Sequence, residues 1–442
     1  MIKSIHGRMT RTHLVSAAFV TLLGTSSCAA PDARPGPEPE EAVPAGEPIW
    51  GRGFGDNTAD QHAFDVALDP TTNTIVSTMG FFGTITIPGV NNDMPYVSGM
   101  PGVVTRNIVV VKHAADGTAA VWGTNIYDAA EIIRTSVDVD PAGNTIVAGG
   151  FNGTIEIAGL MPATTVNDYD AYIAKFDADG KALWVHTFGD PSAQFITDVA
   201  TDAEGNIIVV GMASGESFAF GAGVVAPKST NADIFVAKFT PDGKATWAKR
   251  VGAAGSTIWP DPTASVAVSR ADGTILVGGS HAGSLDFGMK PLPANGDEGG
   301  FVAKLEPTGK GIWQFEFGTP GYKQRVTSVA YGPTNEVFLT GWFSGALTIG
   351  TDELVSYKDS EDLVVVKLDA NGAPAWARGY GHLGKQSGSK VLVDAQGHPL
   401  VLGSFAGDLE FFGHDTLINT NIDMNSDLFA VKFATDGTPF WA

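Results

Sequence analysis

The sequence predicts an all-β chain folded as a six-bladed β-propeller of four-stranded antiparallel blades, with extra β-hairpin inserts between the second and third strands. Three observations predict it: tryptophans recur at a near-constant beat, the phrases between them repeat in one order, and those phrases are apolar on both faces. Composition agrees. Glycine supplies 55 of 442 residues, against a usual ~7%, and charged residues are only 17%. That balance suits short strands and tight turns and is the opposite of a disordered chain.

Trp50, Trp122, Trp184, Trp247, Trp313, Trp376 and Trp441 lie 62–72 residues apart, so seven marks enclose six units, with Trp259 and Trp342 off the beat. In the third unit ITDVATD (196–202), GNIIVVG (205–211), DIFVAKF (233–239) and TWAKRVG (246–252) follow in order, and the second and fifth units keep that order. Each phrase is β-branched or aromatic and bounded by Gly, Asp, Asn or Pro, which reads as a strand ended by a tight turn. In DIFVAKF, Phe235, Ala237 and Phe239 face one way and Ile234 and Val236 the other. A sheet apolar on both sides fits a blade held between two neighbours better than one layer of a sandwich. The repeated tryptophan falls in the fourth, outer strand, where it can wedge against the next blade. Trp50-Gly-Arg-Gly-Phe-Gly can complete the last blade, whose outer strand stops at Trp441-Ala442, and so remove an open edge. The segment between second and third strands opens with GTIEIAG (153–159), GSLDFG (283–288) or GALTIG (345–350) and is expected to add a strand or hairpin on one face of the disc.

The N-terminus reads as an export signal over residues 1–28. Lys3, Arg8 and Arg11 precede an apolar run, Leu14 to Leu23, and a small-residue stretch ending at Cys28. As a helix that run reaches about 15 Å, too short for ~30 Å of hydrocarbon. Cys28 stands where a bacterial lipoprotein carries its lipidated cysteine, with Thr25 in place of the usual leucine; cleavage after Ala30 is the rival. Residues 29–48 form a Pro/Glu-rich tether, and 49–442 the propeller. A single cysteine excludes an intrachain disulfide, and a net charge of −21 opposes nucleic acid and anionic headgroups, leaving Cys28 as the membrane link.

The phrases GNIIVVG, DIFVAKF…DGKATWAKRVG and AVKFATDGTPFW resemble the bacterial beta-propeller repeat (SBBP) family over residues 50–442. That resemblance implies an exported or cell-surface propeller with no reaction common to its members. AKFDADGKALW (174–184) is similar to the tryptophan-docking repeat of quinoproteins and of an outer-membrane assembly lipoprotein, and DADGKALW to the sialidase Asp-box. The adjacent cysteines of the first and the arginine cluster of the last have no counterpart here.

Three constellations have a bland reading beside the functional one. Lys112, Lys175, Lys238, Lys304, Lys367 and Lys432 recur in the third strand; an anion-binding ring is imaginable, but stems packed between blades with heads reaching water or an Asp fit better. Asp65, Asp69, Asp138, Asp140, Asp198, Asp202 and Asp394 cluster at the first strands and could meet a cation at the channel mouth; turn closure is the commoner use. Asp423, Asn425 and Asp427 alternate oxygens as in a calcium loop, without the turn glycine and bidentate glutamate such a loop uses. No resident cofactor is expected.

Function is therefore expected to be non-enzymatic: a monomeric surface propeller that binds a protein or glycan or has a structural role in the envelope. The alternatives are a glycan-acting enzyme with its site at the channel mouth and a periplasmic outer-membrane assembly scaffold. The expected binding face carries the inserts 81–107, 151–169, 213–232, 281–299, 343–360 and 405–426, with Trp259, Tyr322, Lys323, Arg325, His382 and Lys385 as contacts.

Overall fold

The computed structural model describes residues 61–442 apart from 91–95, 98–105, 118, 129–130, 158, 166–167, 216–217, 222–223, 227–232, 253–263, 294–297, 412–415 and 420–425. Trp50, Cys28, the tether, Trp259, Asp423 and Asn425 lie outside the described residues. What is described is nearly all β and propeller-like: six antiparallel sheets, five of four strands and the first extended to six by the Thr154–Ile157 and Ala163–Thr164 pair, with short two-stranded hairpins and a single 3-10 turn at Tyr357–Asp359. The first strands are Gln61–Leu68, Glu131–Val139, Gln194–Thr201, Ala264–Val268, Gln324–Tyr331 and Gln386–Val393. The fourth are Ala120–Asp128, Ala182–Phe188, Ala245–Val251, Gly311–Phe317, Pro374–Tyr380 and Pro439–Trp441.

Both faces of the middle strands are buried, as in Ile207–Ala213 and Gly299–Leu305, where every residue is covered. The cover comes from the neighbouring sheet. Five hydrophobic clusters each join two consecutive sheets, from one-and-two to five-and-six. A sixth cluster, around Phe81, Val109 and Val111, belongs to sheet one with its own insert. Sheet six is the exception to double burial. Leu428 is 58% exposed, whereas Ile108, Ile234 and Leu363, at the same place in other third strands, are 0–1% exposed. Leu400 and Leu402 are likewise only half-buried. Sheet six thus presents an apolar face that is partly open.

The outer-strand tryptophans join each sheet to the next. Indole Nε1 of Trp122, Trp247, Trp313 and Trp376 donates to the carbonyls of Ala178, Pro307, Ala370 and Thr435, at 2.9–3.1 Å. All four carbonyls lie in the turn between the third and fourth strands of the following sheet. The turn glycine must be glycine for two reasons, shown at Gly372. Its φ is +86, and a Cβ there would stand 2.7 Å from the Trp313 ring.

The inserts form hairpins, but these pack against the outer strands of the sheets rather than on a face across them. Their first strands bury alternate apolar pairs, Ile155/Ile157, Leu285/Phe287, Leu347/Ile349 and Leu409/Phe411, at 0–4% exposure. Thr154–Ile157 pairs with Ala120–Asp128, the outer strand of the preceding sheet. Asp352 accepts from the Ala377 N–H of its own outer strand. These segments caulk the gap between adjacent outer strands, which makes their apolar alternation a core signal.

Candidate functional site: the axial ring and its cavity

Five of the six first strands carry a β-bulge, between Ala63/Asp65, Ile133/Ser136, Ile196/Asp198, Val326/Ser328 and Gly388/Lys390. A bulge breaks the ladder and re-aims the next side chain. Here it presents one polar residue per sheet, each followed by valine: Asp65-Val66, Ser136-Val137, Asp198-Val199, Ser265-Val266, Ser328-Val329 and Lys390-Val391. In four seams the freed valine N–H finds its acceptor on the preceding sheet's polar residue. Val137 donates to Asp65, Val266 to Asp198, Val329 to Ser265 and Val391 to Ser328, at 2.9–3.3 Å. Lys390 has no acceptor to offer, so Val66 N–H turns to its own Asp65 carboxylate, and Lys390 Nζ reaches the same oxygen at 3.0 Å. The polar residues thereby link each sheet to the next, and Lys390 of sheet six meets Asp65 of sheet one.

Ser136 Oγ lies 2.7 Å from Asp65 and 2.9 Å from Asp198. The hydroxyl has one proton to give, and both carboxylates lie within its reach; Asp198 also accepts from the Val199 and Val266 N–H groups and from Ser265 Oγ. Burial pushes the Asp198 carboxyl above its ordinary range, and the Asp65 charge adds to this against the opposing Lys390 ammonium.

On the side of the first-to-second-strand turns, the first strands of all six sheets line one cavity of 670 Å³, which extends to Leu400 and Leu402 of sheet six. Two residues beyond each ring position the wall is Ala67, Asp138, Ala200, Ala267, Ala330 and Leu392. Asp138 is the one acid in that row. Its Oδ2 accepts from the backbone N–H and hydroxyl of Thr201 in the next sheet, at 2.6 and 2.8 Å, while burial pushes its carboxyl up. Arg270, at the mouth, donates from Nη2 to the Val139 carbonyl at 3.3 Å.

The remaining first-strand acids serve the turns. Asp69, Asp140, Asp202 and Asp394 meet Lys112, Lys175, Lys238 and Lys432 of their own sheets at 2.8–2.9 Å, and Lys367 uses Glu336 at 3.7 Å. Sheet four has Ser269 in place of the acid, and Lys304 lies 5.2 Å over the Tyr331 ring. The recurring lysines are therefore distributed one per sheet, each with its own counterpart. The Asp140 carboxylate also accepts from Ala142 and Asn144 N–H, closing the turn.

Of the residues read from sequence as partner contacts, Tyr322, Lys323, Arg325, His382 and Lys385 lie on the side of the second-to-third-strand connections, at the seams of sheets four, five and six. Arg325 holds Glu298 through Nε and Nη2, both at 2.7 Å, with its guanidinium 5.3 Å over Trp342. His382 stacks on Tyr357 at 4.5 Å, and Lys385 meets Glu361 at 2.8 Å. Tyr322 packs on Gly345, and Lys323 is exposed. These side chains form separate seam pairs with no common pocket among the described residues. Asp427 opens the third strand of sheet six. Sequence reasoning missed Arg270, Thr201, Lys390 and the three ring serines. Aligning the six tripeptides that begin at Asp65, Ser136, Asp198, Ser265, Ser328 and Lys390 exposes most of them.

No family model matches the chain. Its likeness to known proteins is one of architecture. An uncharacterized WD repeat-containing protein of Acanthamoeba polyphaga mimivirus is 25% identical over 213 residues, 41% of this chain but only 15% of that protein. Among solved structures, a Dyadobacter fermentans protein of unknown function is 12% identical with a TM-score of 0.42, covering 78% of this chain and 91% of that one. A Xanthomonas campestris gluconolactonase is 15% identical with a TM-score of 0.36, covering 78% and 83%.

Proposed function

We propose that this chain is an exported, surface-displayed binding module built on a six-bladed propeller, not an enzyme. In this reading sheets six and one are neighbours in the ring, joined at the axis through Lys390 and Asp65. The observation that carries it is the cavity lined by first strands from all six sheets, walled mainly by alanine and valine. Most of its ionisable neighbours are engaged with one another, as a scaffold would have them. Leu428, exposed on sheet six, matches Ile108, Ile234 and Leu363, buried in sheets one, three and five, which supports a ring whose last seam is its loosest. Cys28, the tether and the SBBP resemblance support export and anchoring to the outer membrane.

The test is made on whole bacteria. The protein should incorporate palmitate, lose it in Cys28→Ala, and be shaved by protease added outside intact cells. Protection from that protease until the outer membrane is permeabilised would replace this reading with the periplasmic scaffold.

A further inference from the structure

The repeat supplies its own control. Where six sheets place equivalent residues in equivalent surroundings, a residue that departs from the others is not there for the shared packing. Two such departures meet in the axial cavity. In the wall row Asp138 stands where Ala67, Ala200, Ala267 and Ala330 stand in four other sheets, so the fold does not need an acid there. In the turn that follows, Arg270 of sheet four stands where the others have Pro70, Pro141, Ala203, Pro333 and Ala395. These two come from different sheets, 131 positions apart in the Arg270–Val139 contact, and carry opposite charge. The exposed Arg270 side chain crosses the mouth to reach the carbonyl next to Asp138 at 3.3 Å, a long and weak hydrogen bond.

We propose that this mouth is a binding site for a small organic cation, an alkylguanidinium or alkylammonium, and that Arg270 is its removable in-chain occupant. Asp138 is the counter-ion and the Val139 carbonyl the acceptor, with Thr201 holding the carboxylate in place. The wall of alanine methyls leaves room for the ligand's alkyl part. The chain's net charge of −21 favours a cation over an anion at every approach. Burial of the Asp138 carboxyl leaves its ionised form short of stabilisation, which an incoming cation supplies. This inference names a ligand class for the binding role proposed above, yet its test uses purified full-length protein and does not depend on where the protein resides.

Methylguanidinium binding is measured by calorimetry on the wild type, Arg270→Ala, and Arg270→Ala combined with Asp138→Ala or Asp138→Asn. Removing Arg270 should tighten binding about tenfold, and either change at Asp138 should abolish the gain. Asp138→Ala restores the repeat's own residue and should fold; Asp138→Asn keeps the shape should it not. Equal binding by wild type and Arg270→Ala overturns the proposal. So does binding that survives the loss of the Asp138 charge, which would leave Asp138 a strut for Thr201 seen only as lost stability.

Discussion

Trp313 shows what one residue does in this architecture. It fills the space beside the Gly372 turn of the next sheet and gives its N–H to the Ala370 carbonyl. Trp313→Ala should therefore cost about 3–5 kcal/mol in denaturant unfolding, and Trp313→Phe, which loses the hydrogen bond and part of the volume, less. The acidic turn residues make a pH prediction. Burial works against ionisation of Asp394, but the Lys432 ammonium and the His398 and Gln396 N–H groups outweigh it and hold the carboxyl at about 2. A folded-state value below the ordinary 3.8 means stability present above 3.8 and lost as the pH falls through about 2. Asp394→Asn should flatten the acid limb of the stability curve in that window while leaving its neutral part lower. At this scale the sequence was legible where a residue recurs, as the tryptophans and lysines do. Asp138 was legible only as one of seven first-strand acids, and Arg270 was obscure because a residue that appears once has no rhythm and its contact with Val139 spans two separate sheets.

Among elements, the insert hairpins changed most between sequence and structure. Variable length pointed to a binding face, whereas their i, i+2 apolar pairs do packing work between outer strands. Sequence shows that alternation but not which surface receives it, because the receiving strand lies in the same unit or the one before. The two halves of a hairpin should respond differently. Phe287→Ala, fully buried beside Phe301, should destabilise by about 3–5 kcal/mol, while Met161→Ala, 85% exposed at a hairpin tip, should change stability by less than about 0.5 kcal/mol. Thermal or urea unfolding of the two variants checks both. The bulges were invisible in sequence for a related reason: an extra residue in a strand shows only when its partner strand is set beside it.

For the whole molecule, strand number and order followed from the repeat, because each unit can bury its two faces only against copies of itself. Unequal seams did not follow, since the apolar residues of sheet six read like those of every other sheet. The Lys390–Asp65 pair, from sheets six and one, is a loose joint with a light apolar contact beside it. Lys390→Met should cost about 2 kcal/mol by stranding the Asp65 carboxylate, read from the urea midpoint.

That loose joint has a mechanical consequence. Six sheets joined by five packed seams behave as a row of six units with two ends, in which each unit is held only by its neighbours. Amide hydrogen exchange should then be slowest in Ile207–Ala213 and Ile275–His281 and quicken symmetrically towards Ile75–Phe81 and Pro399–Phe405. Uniform protection across the six sheets would mean the joint is as strong as the rest. A graded profile would make it a clasp, the place where the disc can spread and admit something to its axis while every packed core stays intact.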